Sequence, residues 1–156
     1  MKIVILDFDG TMGDTAAVIV QTMQATIREL NLPARTDEQC ASMIGLRLVE
    51  IPPVLFPECG LDGEFYAETY RRLFKIYNTD NAVKLYPNVP ETLIELKNRG
   101  YVLTIASSRS RKTLVEYVER LGLSEHISYI LGADDVVNGK PDPEPVNRTL
   151  DKYGFD

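Results

Sequence analysis

The sequence predicts an α/β protein, a Rossmann-like parallel sheet with an all-helical cap inserted after its first strand. Three observations predict it. Short continuous apolar runs at Ile3–Leu6, Tyr101–Ala106 and Ile127–Leu131 suit strands covered on both faces. A helical pattern separates the last two runs, which implies parallel pairing through a crossover. Between Asp14 and Ala82 the patterns are helical, with no convincing strand. The expected division is residues 1–13 and 83–156 for the α/β core and 14–82 for the helical insert.

Each element has its own justification. Ile3–Leu6 runs into Asp7-Phe8-Asp9-Gly10-Thr11, a polar burst at a strand end, where open α/β sheets carry their sites. Asp14–Leu32 reads as a helix with Ala16, Ile19, Val20, Met23, Ile27 and Leu30 on one face, Asp14 as its cap and Pro33 as its stop. Thr36 with Gln39 three residues on is a capping-box pattern, opening a helix that runs to Gly45. Pro52-Pro53 and Pro57 are expected to break the chain. Glu64–Tyr77 is helical, with Phe65, Thr69, Leu73 and Ile76 on one side. Asn88–Arg99 is a helix with Val89, Leu93 and Leu96 inside and Gly100 as its stop. After Tyr101–Ala106 come Ser107-Ser108-Arg109-Ser110, and Ser110 can cap a helix striped by Leu114, Val118 and Leu121. The strand Ile127–Leu131 ends at Gly132-Ala133-Asp134-Asp135, a loop carries Lys140, and Pro143–Tyr153 is the last helix.

Composition narrows the function. The chain has 156 residues, 44% of them hydrophobic, enough for one compact domain with a modest insertion. Its net charge of −6 and a pI near 4.9 count against nucleic acid or an anionic membrane as partner. One histidine and two cysteines, Cys40 and Cys59, in no CxxC pattern cannot build a closed zinc site. Both thiols are expected reduced, and the N-terminal apolar run is too short for a signal peptide. The expected setting is cytoplasmic.

Three loops carry candidate chemistry. Asp7 and Asp9 lie two residues apart, so a regular strand end would point both to one side, where they repel. A divalent cation or a shared proton relieves that repulsion, and both arrangements serve phosphoryl transfer. One carboxylate can attack phosphorus while the other handles the leaving-group proton. Gly10 permits a sharp turn whose amides can face a phosphate. Ser107 and Ser108 offer hydroxyls and amides at the end of the next strand, or simply cap a helix. Lys140, in Asn138-Gly139-Lys140-Pro141-Asp142-Pro143, is a rigidly held cation that can neutralise phosphate, or a surface turn lysine.

The order of these motifs resembles the haloacid dehalogenase superfamily. Asp7-Phe8-Asp9-Gly10-Thr11 looks like its first motif, Ser107 after an apolar strand like its second, and Lys140-Pro141 before a helix like its third. The helical insert after the first motif resembles the small cap of the phosphoglycolate phosphatase and beta-phosphoglucomutase branch. The resemblance implies a magnesium-dependent phosphatase acting on a small phosphorylated metabolite. Asp7 would be nucleophile and metal ligand. Asp9 would be general acid and base, with its backbone carbonyl on Mg2+. Thr11 would support the loop, and Gly10, Thr11, Ser107, Ser108 and Lys140 would hold the phosphoryl group. Arg47, in Gly45-Leu46-Arg47, falls where cap loops of this branch reach toward substrate.

The family's fourth motif, an acidic pair completing the magnesium site, would follow one more strand. The sequence ends at Gly154-Phe155-Asp156, and Asp134 and Asp135 precede Lys140, so neither fits it. The expectation is an N-terminal portion of a longer enzyme, nearly inactive alone. Three rivals stand beside the phosphatase: a mutase, a receiver-like module, and a non-catalytic fragment that keeps the fold and lacks the metal site. A mutase of the beta-phosphoglucomutase kind would call for a histidine early in the first cap helix, where this chain has Ala16-Ala17-Val18-Ile19-Val20. A receiver-like phospho-accepting module would carry its phosphorylated aspartate on a middle strand, and the second strand here ends in Ser107.

Overall fold

The computed structural model describes residues 1–154. Two compact units emerge, Met1–Gly13 with Leu85–Asp156, and Asp14–Lys84. The first holds a parallel sheet of β1 (Lys2–Leu6), β4 (Tyr101–Ala106) and β5 (Tyr129–Leu131), with β4 in the middle. Register runs from Lys2 opposite Tyr101 to Leu6 opposite Ile105, and from Thr104 opposite Tyr129 to Ala106 opposite Leu131. All three strands therefore end at one edge, which brings Asp7, Ser107 and Gly132 to the same side.

Helices α5 (Val89–Asn98), α6 (Arg111–Arg120) and α7 (Glu144–Lys152) pack on this sheet. Leu103 and Ile105 on the middle strand are buried, as are Leu93 of α5 and Leu114, Tyr117 and Val118 of α6. Thr104 is a polar residue in that buried strand, and its hydroxyl donates to the Val4 carbonyl at 3.2 Å. Burying a hydroxyl is tolerable on that condition.

The second unit is helical: α1 (Ala16–Glu29), α2 (Asp37–Ala41), α3 (Ile51–Leu55) and α4 (Gly63–Tyr77), with a 3₁₀ turn at Leu48–Glu50. Thr36 and Gln39 form the capping box of α2. The α2 helix ends at Ala41, short of Gly45, and turns fill the gap. Short strands β2 (Gly13–Asp14) and β3 (Lys84–Leu85) pair with each other where the chain passes between units. That pairing holds Asp14 in a strand, so the helix cap falls to Thr15, whose side chain makes no cap bond.

Two further expectations give way. Pro52 and Pro53 lie within α3, at its first turn, instead of breaking the chain. A first-turn proline costs nothing, because that N–H has no helical partner anyway. On α4, Phe65 and Ile76 are exposed, and the buried side is Tyr66, Ala67, Thr69, Tyr70, Leu73 and Phe74. An aromatic ladder explains the rotation: Phe56, Tyr66, Tyr70 and Phe74 follow one another at centroid distances of 6.4, 6.4 and 5.8 Å. Tyrosines bury their ring area like any apolar group, and a stripe drawn through Phe65, Thr69, Leu73 and Ile76 misses them. Cys40 is buried and Cys59 exposed, both as free thiols. Burial pushes the Cys40 thiol above its ordinary value, with Asp37 adding to the effect. Among the described residues, no helix is long and apolar enough to cross a membrane.

Leu103→Ala should cost about 2–5 kcal/mol of stability, since it opens a cavity in the middle strand. Ile94→Ala, on the exposed side of α5, should cost under about 1 kcal/mol. Denaturant unfolding followed by circular dichroism tests the contrast, and equal costs would contradict this core.

Candidate active site

The site begins with a tight turn. The Phe8 carbonyl accepts the amides of Thr11, Met12 and Gly13 at 3.2, 3.0 and 3.0 Å, and the Gly10 amide donates to Gly13 O at 3.0 Å. Gly10 has φ +76°, a conformation open to glycine. A Cβ on Gly13 would stand 2.7 Å from the Phe8 ring, so the ring packs directly on that backbone. The turn therefore consumes the Gly10 and Thr11 amides, which the sequence offered to a phosphate. None of its internal bonds uses the Phe8 or Asp9 amide.

Asp7 follows the last residue of β1. Its Oδ1 receives the Lys140 ammonium at 2.9 Å, and both side chains are 36% exposed. Lys140 Nζ also lies 3.4 Å from the Ala106 carbonyl, so the lysine sits at the end of the middle strand. Its loop is tied to α7. The Glu144 carboxylate accepts the Val137 amide at 3.0 Å and the Asn138 amide at 2.7 Å, and Asp142 Oδ1 accepts the Glu144 amide at 2.8 Å. The two amides hold the Glu144 carboxyl below its ordinary value.

Asp9 is held by a different cation. Arg109 Nε donates to Asp9 Oδ1 at 3.1 Å and Oδ2 at 3.0 Å, and Nη2 donates to Oδ1 at 2.7 Å. Only 10% of the Arg109 side chain and 12% of the Asp9 side chain are exposed. The guanidinium lies 5.1 Å from the centre of the Tyr117 ring, and Phe8 stacks on that ring at 5.3 Å, 8° from parallel. Burial pushes the Tyr117 phenol up, against the lowering pull of Arg109 and Arg120. In the sequence Arg109 stands out only as one residue of the loop Ser107-Ser108-Arg109-Ser110. No local spacing can pair it with an aspartate 100 residues away.

Ser107 is buried, and its Oγ accepts the Arg109 amide at 3.2 Å, which leaves the hydroxyl proton to donate elsewhere. Ser108 Oγ is buried and has no hydrogen-bond partner among the described residues. Ser110 precedes α6 but makes no side-chain cap bond. Asp134 fills that place, accepting the Arg111 amide at 2.6 Å, while Asp135 accepts the Gly132 amide at 2.8 Å. These two acids thus tie the β5 loop to α6. Arg47 belongs to the helical unit, where its amide donates to Glu50 at 3.1 Å.

The first unit thus brings Asp7, Asp9, Ser107, Arg109 and Lys140 together around a parallel sheet edge. A haloacid dehalogenase-like hydrolase profile matches residues 4–156. The chain belongs to the haloacid dehalogenase-like hydrolase family. It is 33% identical to the pyrophosphatase PpaX of Oceanobacillus iheyensis over 157 residues, covering 99% of this chain and 70% of that one. It is 28% identical to a phosphoglycolate phosphatase of Aquifex aeolicus, covering 99% and 71%. The crystal structure of a predicted phosphoglycolate phosphatase from Haemophilus somnus superimposes with a TM-score of 0.83 at 25% identity, covering 99% and 72%. The parallel α/β core is the fold of this family, and membership excludes the receiver-like reading.

The tie between Glu144 and the Lys140 loop carries a pH signature. Because the folded carboxyl value is lowered, the tie stabilises fully above the ordinary value of 4.5 and is lost as pH falls through the lowered one. The stability gap between wild type and Glu144→Gln should therefore be widest near neutrality and close on acidification. A gap constant down to about pH 3 would contradict the tie.

Proposed function

We propose that this protein is a magnesium-dependent phosphatase that hydrolyses a small phosphomonoester through an aspartyl-phosphate on Asp7. The observation that carries the proposal is the Asp7–Lys140 ion pair at the sheet edge, with Asp9 two residues on. Relatives named for pyrophosphate and for phosphoglycolate support a small phosphorylated metabolite as substrate. The acidic balance of the chain supports no role for nucleic acid.

The donors present suit magnesium in part. That ion is held by one or two carboxylates, with water and substrate oxygens completing an octahedron. Asp7 keeps Oδ2 outside its ion pair with Lys140. Arg109 engages both oxygens of the Asp9 carboxylate, so the backbone carbonyl of Asp9 is the donor better placed for the metal. Among the described residues, no group of three or more His, Cys, Asp or Glu side chains gathers into a metal cluster. Bound magnesium would supply charge neutralisation at the phosphoryl oxygens.

The chain's own residues do the rest. Lys140 offsets the charge of Asp7 and of an incoming phosphate, and the Ser107 hydroxyl donates to a phosphoryl oxygen. An Asp7 oxygen bonds to phosphorus as the ester P–O bond breaks, its electron pair leaving with the alcohol oxygen. Asp9 gives that oxygen a proton. Water then attacks phosphorus, Asp9 takes the water's proton, and the Asp7–phosphorus bond breaks to restore the carboxylate. Arg47 is the proposed substrate contact from the helical unit. The mutase alternative lacks its histidine at Ala16–Val20, the chain's single histidine being His126. The reading places the enzyme in the cytoplasm.

In the full-length protein, Asp7→Asn should abolish turnover, a loss of several orders of magnitude, while circular dichroism stays unchanged. Removing divalent metal with a chelator should do the same to wild type, and magnesium should restore it. Labelled phosphate trapped on any residue other than Asp7, or activity surviving metal removal, would refute the mechanism.

A further inference from the structure

We propose that Arg109 is a positioning residue that sets which oxygen of Asp9 works on the leaving group. The three guanidinium contacts are unequal. Asp9 Oδ1 accepts from both Nη2 and Nε, at 2.7 and 3.1 Å, whereas Oδ2 accepts from Nε alone, at 3.0 Å. A carboxylate oxygen has two lone-pair directions. Oδ1 is thus fully occupied as the anchor, and Oδ2 keeps one direction open. The open oxygen is the one able to carry a proton to the departing oxygen or to take one from water.

Arg109 is itself built in from three sides. Its amide bonds to Ser107 Oγ at 3.2 Å, its carbonyl accepts the Ala133 amide at 2.8 Å, and its guanidinium rests on Tyr117. Gly132 makes the second contact possible, since a Cβ there would stand 2.9 Å from the Arg109 carbonyl and 2.3 Å from the Arg111 nitrogen. A planar fork fixed at backbone and tip orients a carboxylate better than a flexible ammonium does. Nothing here requires Arg109 to touch the substrate.

The inference rests on the phosphatase reading and is tested on the full-length protein with two esters. One is p-nitrophenyl phosphate, whose leaving group departs without a proton. The other is an alkyl phosphate, whose leaving group needs one. Arg109→Gln should lower kcat on the alkyl ester by about 100-fold, the lower range of general-acid contributions. It should lower kcat on the aryl ester by under about 10-fold, with the inhibition constant for inorganic phosphate unchanged. Arg109→Lys should fall between wild type and Arg109→Gln. Tyr117→Leu, which removes the ring beneath the guanidinium and keeps the arginine, should show the same selectivity more weakly, and it stands in if Arg109→Gln does not fold. Equal losses on both esters, no loss, or weakened phosphate inhibition would overturn the positioning role. A wild type that hydrolyses neither ester would refute the phosphatase reading and this inference with it.

Discussion

Two carboxylates two residues apart at the end of one strand are the constraint around which the core is arranged. At about 6–7 Å and an effective dielectric near 20, such a pair repels by roughly 2–3 kcal/mol. The turn that follows does not relieve this, because its amides bond to its own carbonyls. The fold brings one cation to each acid. Lys140 comes from the loop after β5 and meets Asp7. Arg109 comes from the turn after β4 and meets Asp9. Both cations arrive because the strands are parallel and end at one edge. An antiparallel arrangement would have sent one of those loops to the far side.

The two pairs differ in kind. Asp7 and Lys140 are about one-third exposed, meet through one oxygen and leave the other open. That leaves one carboxylate oxygen available beside a half-buried cation. Asp9 and Arg109 are nearly buried and meet in a planar fork. A buried pair of this sort contributes little net stability, since desolvation offsets the attraction, but its geometry is well defined. Its support runs into the core: Arg109 lies on Tyr117, Tyr117 on Phe8, and Phe8 on the Gly13 backbone. Phe8 is the residue between the two acids. The hydrophobic packing of the first unit and the orientation of its charged groups are therefore the same problem.

The acidic residues after β5 illustrate how placement decides meaning. Asp134 and Asp135 could have been read as ligands by composition. In the fold Asp134 accepts the Arg111 amide at the start of α6, the positive end of a helix, where a carboxylate is favourable, and Asp135 accepts the Gly132 amide of its own loop. Glu144 does similar work for the Lys140 loop. Acids flank this site, and they hold backbone, whereas Asp7 and Asp9 each meet a cation.

By itself the sequence determined the fold class, the order of elements and the residues at the strand ends. Buried parallel strands must be continuously apolar, and Asp7, Asp9, Ser107 and Lys140 interrupt or follow those runs visibly. Local signals with a local cause were legible, the Thr36–Gln39 capping box among them. Less legible was anything that depends on distant atoms. The buried face of α4 turned on an aromatic ladder through Tyr66, Tyr70 and Phe74 instead of the stripe that starts at Phe65. Asp14 lost its capping role to a strand pairing with residues seventy positions on. Only the tertiary structure joined Arg109 to Asp9, a hundred residues apart. The physical reason is range: periodicity and capping act over a few residues and are written in the chain, whereas which cation meets which carboxylate is fixed by strand register.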